Sequence, residues 1–247
     1  IVFGDWSSDV CSSDLATGDD RYRALAKETI LKCVRIYDRP DFSYAVTYGP
    51  KDVTAIPGAR ILPHWMVLLT ASHAMLRHMP DPEMEALAHR CTGAIMDGHM
   101  HPDYRLLNEV RNRDFSIPEG PFSRFSYTGH AYETLWMVMR EAARRKDPSL
   151  FTRAADAFLR HVEVSWDDVY EGAFASLEDV EANTWGLSKS AWSQVEVLTG
   201  CLVLLEHRDD PRARDMFGRM YAHFRSRYSL ETKGCPIWHL GGDRKLA

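Results

Sequence analysis

The chain punctuates its helices with one dipeptide three times. Asp81-Pro82, Asp147-Pro148 and Asp210-Pro211 each follow an apolar segment and open a more polar one, 66 and 63 residues apart. Asp accepts hydrogen bonds from the free amides at a helix start, and Pro suits the first helical position, where no N–H is needed. So short a break between two helices makes them an antiparallel hairpin. A repeat of helical hairpins is the architecture this pattern dictates.

From Asp20 onward apolar residues recur at three and four positions in about seven segments, roughly 21–38, 60–79, 82–100, 129–146, 148–164, 187–207 and 211–228. Alternating Val, Ile and Thr runs are missing, so a large sheet is not expected. Segments 60–79, 129–140 and 187–205 are apolar nearly all round, as buried helices are, whereas 82–100, 148–164 and 211–228 are amphipathic. Alternation of the two kinds predicts two concentric rings, an all-α toroid or α/α barrel. The tight Asp-Pro turns lie at one end. Longer loops, 101–128 and 165–186, lie at the other and carry Asp, Gly, Trp, Tyr and Glu, which puts function there.

Composition removes several classes. Net charge is −5 with both signs interspersed and no basic run, so no nucleic-acid partner is expected. No apolar run reaches the roughly 18 residues of a membrane span, and no signal-peptide pattern is present. Five cysteines without metal or disulfide spacing suit a reduced, cytoplasmic protein. Residues 5–15, Asp-Trp-Ser-Ser-Asp-Val-Cys-Ser-Ser-Asp-Leu, resemble translated sequencing adapter. Residues 1–19 are therefore expected to be an artefactual or disordered segment, Cys11 included, and 20–247 to be the folded domain.

Three motifs occur in order. Leu106-Leu107-Asn108-Glu109-Val110, with Asp114 after it, precedes Gly129-His130-Ala131-Tyr132-Glu133-Thr134-Leu135-Trp136; Trp185, Lys189, Trp192 and Glu196 follow. They resemble the loop, the Gly-His-x-x-Glu-x-x-Trp helix and the Lys-x-x-Trp-x-x-x-Glu helix of the N-acylglucosamine 2-epimerase family, over roughly residues 20–247. The resemblance implies a six-hairpin α/α barrel, which needs roughly 300 residues or more. The chain is thus expected to be a partial (α/α)6 barrel, incomplete at both ends, with a His-containing C-terminal segment of the family beyond Ala247. Cut flanks would leave Trp65, Leu68, Leu69, Leu202 and Leu205 exposed, and the piece alone would aggregate or be molten and show no epimerase activity.

The implied activity is epimerisation or isomerisation of a free aldose at C2. The sugar loses its C2 proton to give an enediolate, which calls for a base with a pKa near neutrality, and His fits. His130 is the expected acid/base, with Glu133 one turn on to orient it or bind hydroxyls; a helix-capping His with a first-turn Glu is the plain alternative. Lys189, Trp192 and Glu196 share one face: Lys189 would bind sugar oxygens and Trp192 stack on the ring, or the charges would be a simple ion pair between helices. Glu109 and Trp185 are further sugar contacts or, respectively, a solvated loop charge and a plug. Arg60 is a possible anion contact. His64 lies near an inner helix start, in a register displaced from the family's Asn-x-x-His pattern, and the second acid/base is placed beyond Ala247. Neither metal ligand spacing nor a Gly-rich phosphate loop is present, so no metal and no cofactor are expected. The partner is a small sugar, with a homodimeric parent left open. An aldose–ketose isomerase such as a mannose isomerase, an α/α-barrel glycoside hydrolase and a non-catalytic protein-binding toroid are the alternatives.

Overall fold

The computed structural model describes residues 17–49, 55–228 and 237–242. The adapter-like stretch and Cys11 lie outside the described residues. Seven α-helices are present among them: α1 (Asp20–Tyr37), α2 (Leu62–Leu76), α3 (Pro82–Gly93), α4 (Thr128–Arg144), α5 (Pro148–Ser165), α6 (Ala191–His207) and α7 (Pro211–Tyr228).

The three Asp-Pro steps open α3, α5 and α7, with Pro at the first position. Asp81 accepts from the amides of Glu83 and Met84 at 3.0 and 3.2 Å, Asp147 from Leu150 at 2.9 Å, and Asp210 from Arg212 at 2.9 Å. Each capped helix packs on its predecessor, giving the pairs α2–α3, α4–α5 and α6–α7. The apolar helices α2, α4 and α6 form the inner row, with α4 packed on both others. Buried Ala131, Leu135, Val138 and Met139 of α4 and Phe158 and Val162 of α5 belong to one continuous core with Trp65 and Leu69 of α2 and Val197 and Leu204 of α6. On the far side α4 keeps a partly open stripe of His130, Glu133, Trp136, Met137 and Arg140.

Two expectations need correction. Helix segment 60–79 begins only at Leu62, because Arg60–Ile61 (β3) pairs antiparallel with Val110–Arg111 (β4). Likewise Lys189–Ser190 (β7) pairs with His239–Leu240 (β8) before α6 starts. With Ser43–Tyr44 (β1) on Ile56–Pro57 (β2) and Ser176–Asp179 (β5) on Thr184–Gly186 (β6), four two-stranded ladders trim the long-loop end. The described strands are two to four residues long, too short for alternation to reveal. Segment 82–100 is helical to its end but changes type, running from α3 into a π-helical stretch at Ala94–His99.

The second correction concerns the bare flanks. Trp65, Leu68 and Leu69 are buried, because α1 covers α2 and the Tyr37 ring meets Trp65 edge-on at 5.2 Å. On α6, Leu202 is 54% exposed and Leu205 half-buried. Among the described residues no helix is long and apolar enough to cross a membrane.

Between α1 and β3 the chain forms a one-sided strap. From Asp41 to Tyr48 outward and inward residues alternate without exception, and Phe42, Tyr44, Val46 and Tyr48 are the inward four. Period two is the signature of extended chain. Phe42 and Tyr44 pack on His64, and Val46 joins Ala59, Ile61, Val110, Phe122 and Phe125 in a small second core.

Candidate active site

The three inner helices begin at the long-loop end, and the site is built on the start of α4. His130 is the third residue of that helix, half-buried, and its Nδ1 lies 2.8 Å from Glu109 Oε1. Glu109 is fully buried. Its backbone is pinned on both sides: its N–H donates to Phe125 O at 3.1 Å, and its carbonyl accepts from Leu62 N, at the start of α2, at 2.9 Å. A carboxylate only accepts, so Nδ1 carries the proton and Nε2 is left as the imidazole's reactive nitrogen. Tyr48, at the end of the strap, donates its hydroxyl to the same Oε1 at 2.5 Å.

Aromatic rings enclose this imidazole. Tyr127, Tyr48 and Trp192 have centroids 4.5, 5.4 and 5.7 Å from it, and Tyr127 stacks on Trp192 at 6.1 Å with 19° between planes. Gly129 permits this. A Cβ at that position would fall 2.6 Å from Trp192 Cη2, so any larger residue pushes the indole away. The glycine of the Gly-His motif therefore serves the close approach of α6 to α4.

One turn along α4, Glu133 stands on the same partly open stripe. Burial, then the nearby Glu196 carboxylate, push its pKa up to about 7, against a smaller opposing pull from His130. Glu196 on α6 is itself raised by burial, while Trp136 Nε1 donates to its Oε2 at 2.7 Å and favours the ionised form. The two carboxyl groups thus differ in environment, Glu133 holding its proton to near neutrality.

That shift has a sign that can be checked. The native state holds the Glu133 proton up to about pH 7, whereas an ordinary Glu releases it near 4.5. Between those values the native chain binds more protons than the unfolded one, so stability falls as pH rises. Glu133→Gln is expected to raise Tm over the parent at pH 8 and leave it unchanged at pH 4.5. Thermal melts at the two pH values check this; a gain of equal size at both removes the raised carboxyl.

Other residues picked out by the sequence stand elsewhere. Lys189 was expected to bind sugar oxygens. It is instead buried, its ammonium 2.5 Å from Asp167 Oδ2 and 2.6 Å from Glu171 O and set over the Phe174 ring at 4.9 Å. It closes the loop after α5 onto β7, the ion-pair alternative, though with a loop rather than a helix as partner. Arg60 was expected to contact an anion. It is buried, donates to Tyr37 O at 2.8 Å, lies over the Tyr37 ring at 4.5 Å and reaches Asp38 at 3.9 Å, so it fastens α1 to the start of α2. Trp185, on β6, donates to Asn183 Oδ1 at 2.9 Å and packs on Phe174 at 5.6 Å, standing with the Lys189 group. His64 is the third residue of α2, matching His130 in α4, but Tyr37, Phe42 and Tyr44 surround it and burial drops its pKa to about 4.

Tyr48 and Tyr127 were missed. The strap's alternation was the available signal for Tyr48; for Tyr127, only its place two residues before Gly129. Among the described residues no group of three or more His, Cys, Asp or Glu side chains is arranged to hold a metal ion. What the site offers is an imidazole engaged through Nδ1 by a carboxylate, a carboxyl of raised pKa one turn away and a flat aromatic wall, groups able to move a proton on a polar molecule.

Several structures with similar folds are named as sugar epimerases or isomerases. A cellobiose 2-epimerase from Bacillus thermoamylovorans superposes with a TM-score of 0.79 at 11% identity, over 98% of this chain and 63% of that one. A D-mannose isomerase gives 0.74 at 14% identity, over 97% and 64%, and a sugar epimerase from a ruminal bacterium 0.73 at 15%, over 96% and 62%. At such identities the likeness is one of fold. The chain spans a little under two thirds of the length of these relatives. No curated protein matches it. The family model of N-acylglucosamine 2-epimerase (GlcNAc 2-epimerase) matches residues 10–246, a span that takes in every residue of the site just described. With the helical pairs, the His130 helix and this match in agreement, the chain belongs to the N-acylglucosamine 2-epimerase family.

Proposed function

We propose that the whole protein interconverts a free aldose with its C2 epimer, and that residues 20–247 are an incomplete α/α toroid carrying the base. The observation that supports this most is His130, held through Nδ1 by buried Glu109 and walled by Tyr127 and Trp192. The open-chain sugar lies against the stacked Tyr127 and Trp192 rings. Nε2 of His130 takes the C2 proton, and the electron pair moves into the C1–C2 bond as O1 becomes negative. Glu133, protonated to about pH 7, donates a hydrogen bond to that oxygen. Return of a proton to the opposite face of C2 from a second acid in the rest of the whole protein gives the epimer; return to C1, with the O2 proton passing to O1, gives the ketose. Proton transfer of this kind needs no metal or redox cofactor. A small sugar is the partner, and the cytoplasm, where free thiols such as buried Cys91 and Cys201 stay reduced, is the compartment.

A second reading has one observation in its favour. Glu133 and Glu196 are a pair of neighbouring carboxyls in different surroundings, Glu133 protonated to about pH 7 and Glu196 bonded by the Trp136 indole, and a carboxyl pair is also what a glycoside hydrolase uses. Incubation of the whole protein with N-acetylglucosamine, mannose, glucose and cellobiose, followed by NMR, separates the two. New C2 epimers or ketoses are expected; a growing count of reducing ends from cellobiose means hydrolysis.

A further inference from the structure

We propose that Tyr48 is a positioning residue for His130, acting through Glu109: its hydroxyl holds and tunes the carboxylate oxygen that accepts from Nδ1 and leaves Nε2 free. The inference deepens the proton-transfer reading above and rests on it for its catalytic meaning. Its structural content stands on the geometry alone.

The Glu109 carboxylate is loaded on one side. Oε1 accepts both from Tyr48 at 2.5 Å and from His130 Nδ1 at 2.8 Å. Oε2 is buried and has no hydrogen-bond partner among the described residues. Rotation of the carboxylate would carry Oε1 out of line with Nδ1, and the bond from the imidazole alone cannot prevent it, since the ring can turn with it. Two donors converging on one oxygen can. Tyr48 is itself fixed, because Val46 anchors the strap in the second core and Gly49 follows at φ +83°. A Cβ on Gly49 would lie 2.5 Å from Phe125 Cζ, so the strap is pressed directly onto that core. The phenol stays a donor throughout the working pH range, because burial and the Glu109 charge push its ionisation up.

The hydroxyl also tunes the base. A carboxylate oxygen that already accepts a strong hydrogen bond has less charge to offer an imidazolium. Tyr48 therefore holds His130 a weaker base than Glu109 alone would make it, and it lets the imidazole release its proton to the sugar. The other ionisable groups about this imidazole are Tyr127 beside it, Glu133 one turn along α4, and Glu178 and Glu196 behind those two. None of these bonds to Glu109 Oε1, so none substitutes for the phenol.

Imidazole nitrogen NMR on the ¹⁵N-His whole protein, with His130 assigned by loss of its signals in His130→Gln, gives both tautomer and titration midpoint. In the parent chain, neutral His130 is expected with the proton on Nδ1. Tyr48→Phe is expected to raise the midpoint by roughly half to one pH unit, the size of one net hydrogen bond, with the proton still on Nδ1. Should that variant fold poorly, 3-fluorotyrosine at position 48 keeps the hydroxyl and strengthens it as a donor, and the midpoint is expected to fall. Shifts of opposite sign are an outcome that a merely structural role does not give. An unchanged midpoint in the phenylalanine variant, or in the fluorotyrosine protein, overturns the proposal. Because the readout needs no turnover, failure here leaves the sugar chemistry standing, and absence of sugar turnover leaves this result intact.

Discussion

Replacing His130 by Ala is expected to lower turnover of the whole protein by about 10²–10⁴-fold, the usual contribution of a positioned general acid–base group. The imidazole is half-buried on the open stripe of α4, and its Nε2 is the ring nitrogen not engaged by Glu109. Its removal leaves Glu109 still bound by Tyr48 and still pinned through Leu62 and Phe125, so the helix start survives. The loss should therefore fall on kcat, with far-ultraviolet circular dichroism and Tm little changed. His130→Asn keeps a donor for Glu109 and should be equally inactive, which separates proton transfer from packing. A variant that keeps more than about a third of the parent rate removes His130 from the chemistry.

Lys189 gives the opposite pattern. Its ammonium and the Asp167 carboxylate are both buried, at 1% and 7% side-chain exposure. Lys189→Met is expected to cost about 3–5 kcal/mol, because it strands Asp167 as an unpaired charge. The double variant Lys189→Met with Asp167→Leu removes both charges and should recover most of that loss. Denaturant unfolding of the two variants checks this. A lysine that served only to bind sugar would leave stability alone and raise KM, and that outcome would return Lys189 to the sugar site.

The two residues mark how far a sequence can be read. His130 with Glu133, and Trp192 with Glu196, were each legible as a pair because helical spacing places i, i+3 and i+4 on one face, whereas the meeting of the two pairs across helices was not. The hairpins were legible because capping is local: Asp81, Asp147 and Asp210 bond amides within three residues. Lys189 was misread because its spacing from Trp192 suggested a shared face, whereas its partner sits 22 residues upstream on a loop. Arg60 answers to Tyr37, 23 residues back, and Tyr48 to Glu109, 61 residues on. A periodic pattern says that a face is buried and is silent on what buries it. That is also why α2 was expected to be bare where α1 covers it.

Incubation of the whole protein with its aldose in deuterated water bears most directly on proton transfer at C2. An enediolate formed by His130 exchanges its proton with solvent, so deuterium is expected at C2 of the epimer and, more slowly, of the recovered starting sugar. Full interconversion with no deuterium at C2 would contradict the account.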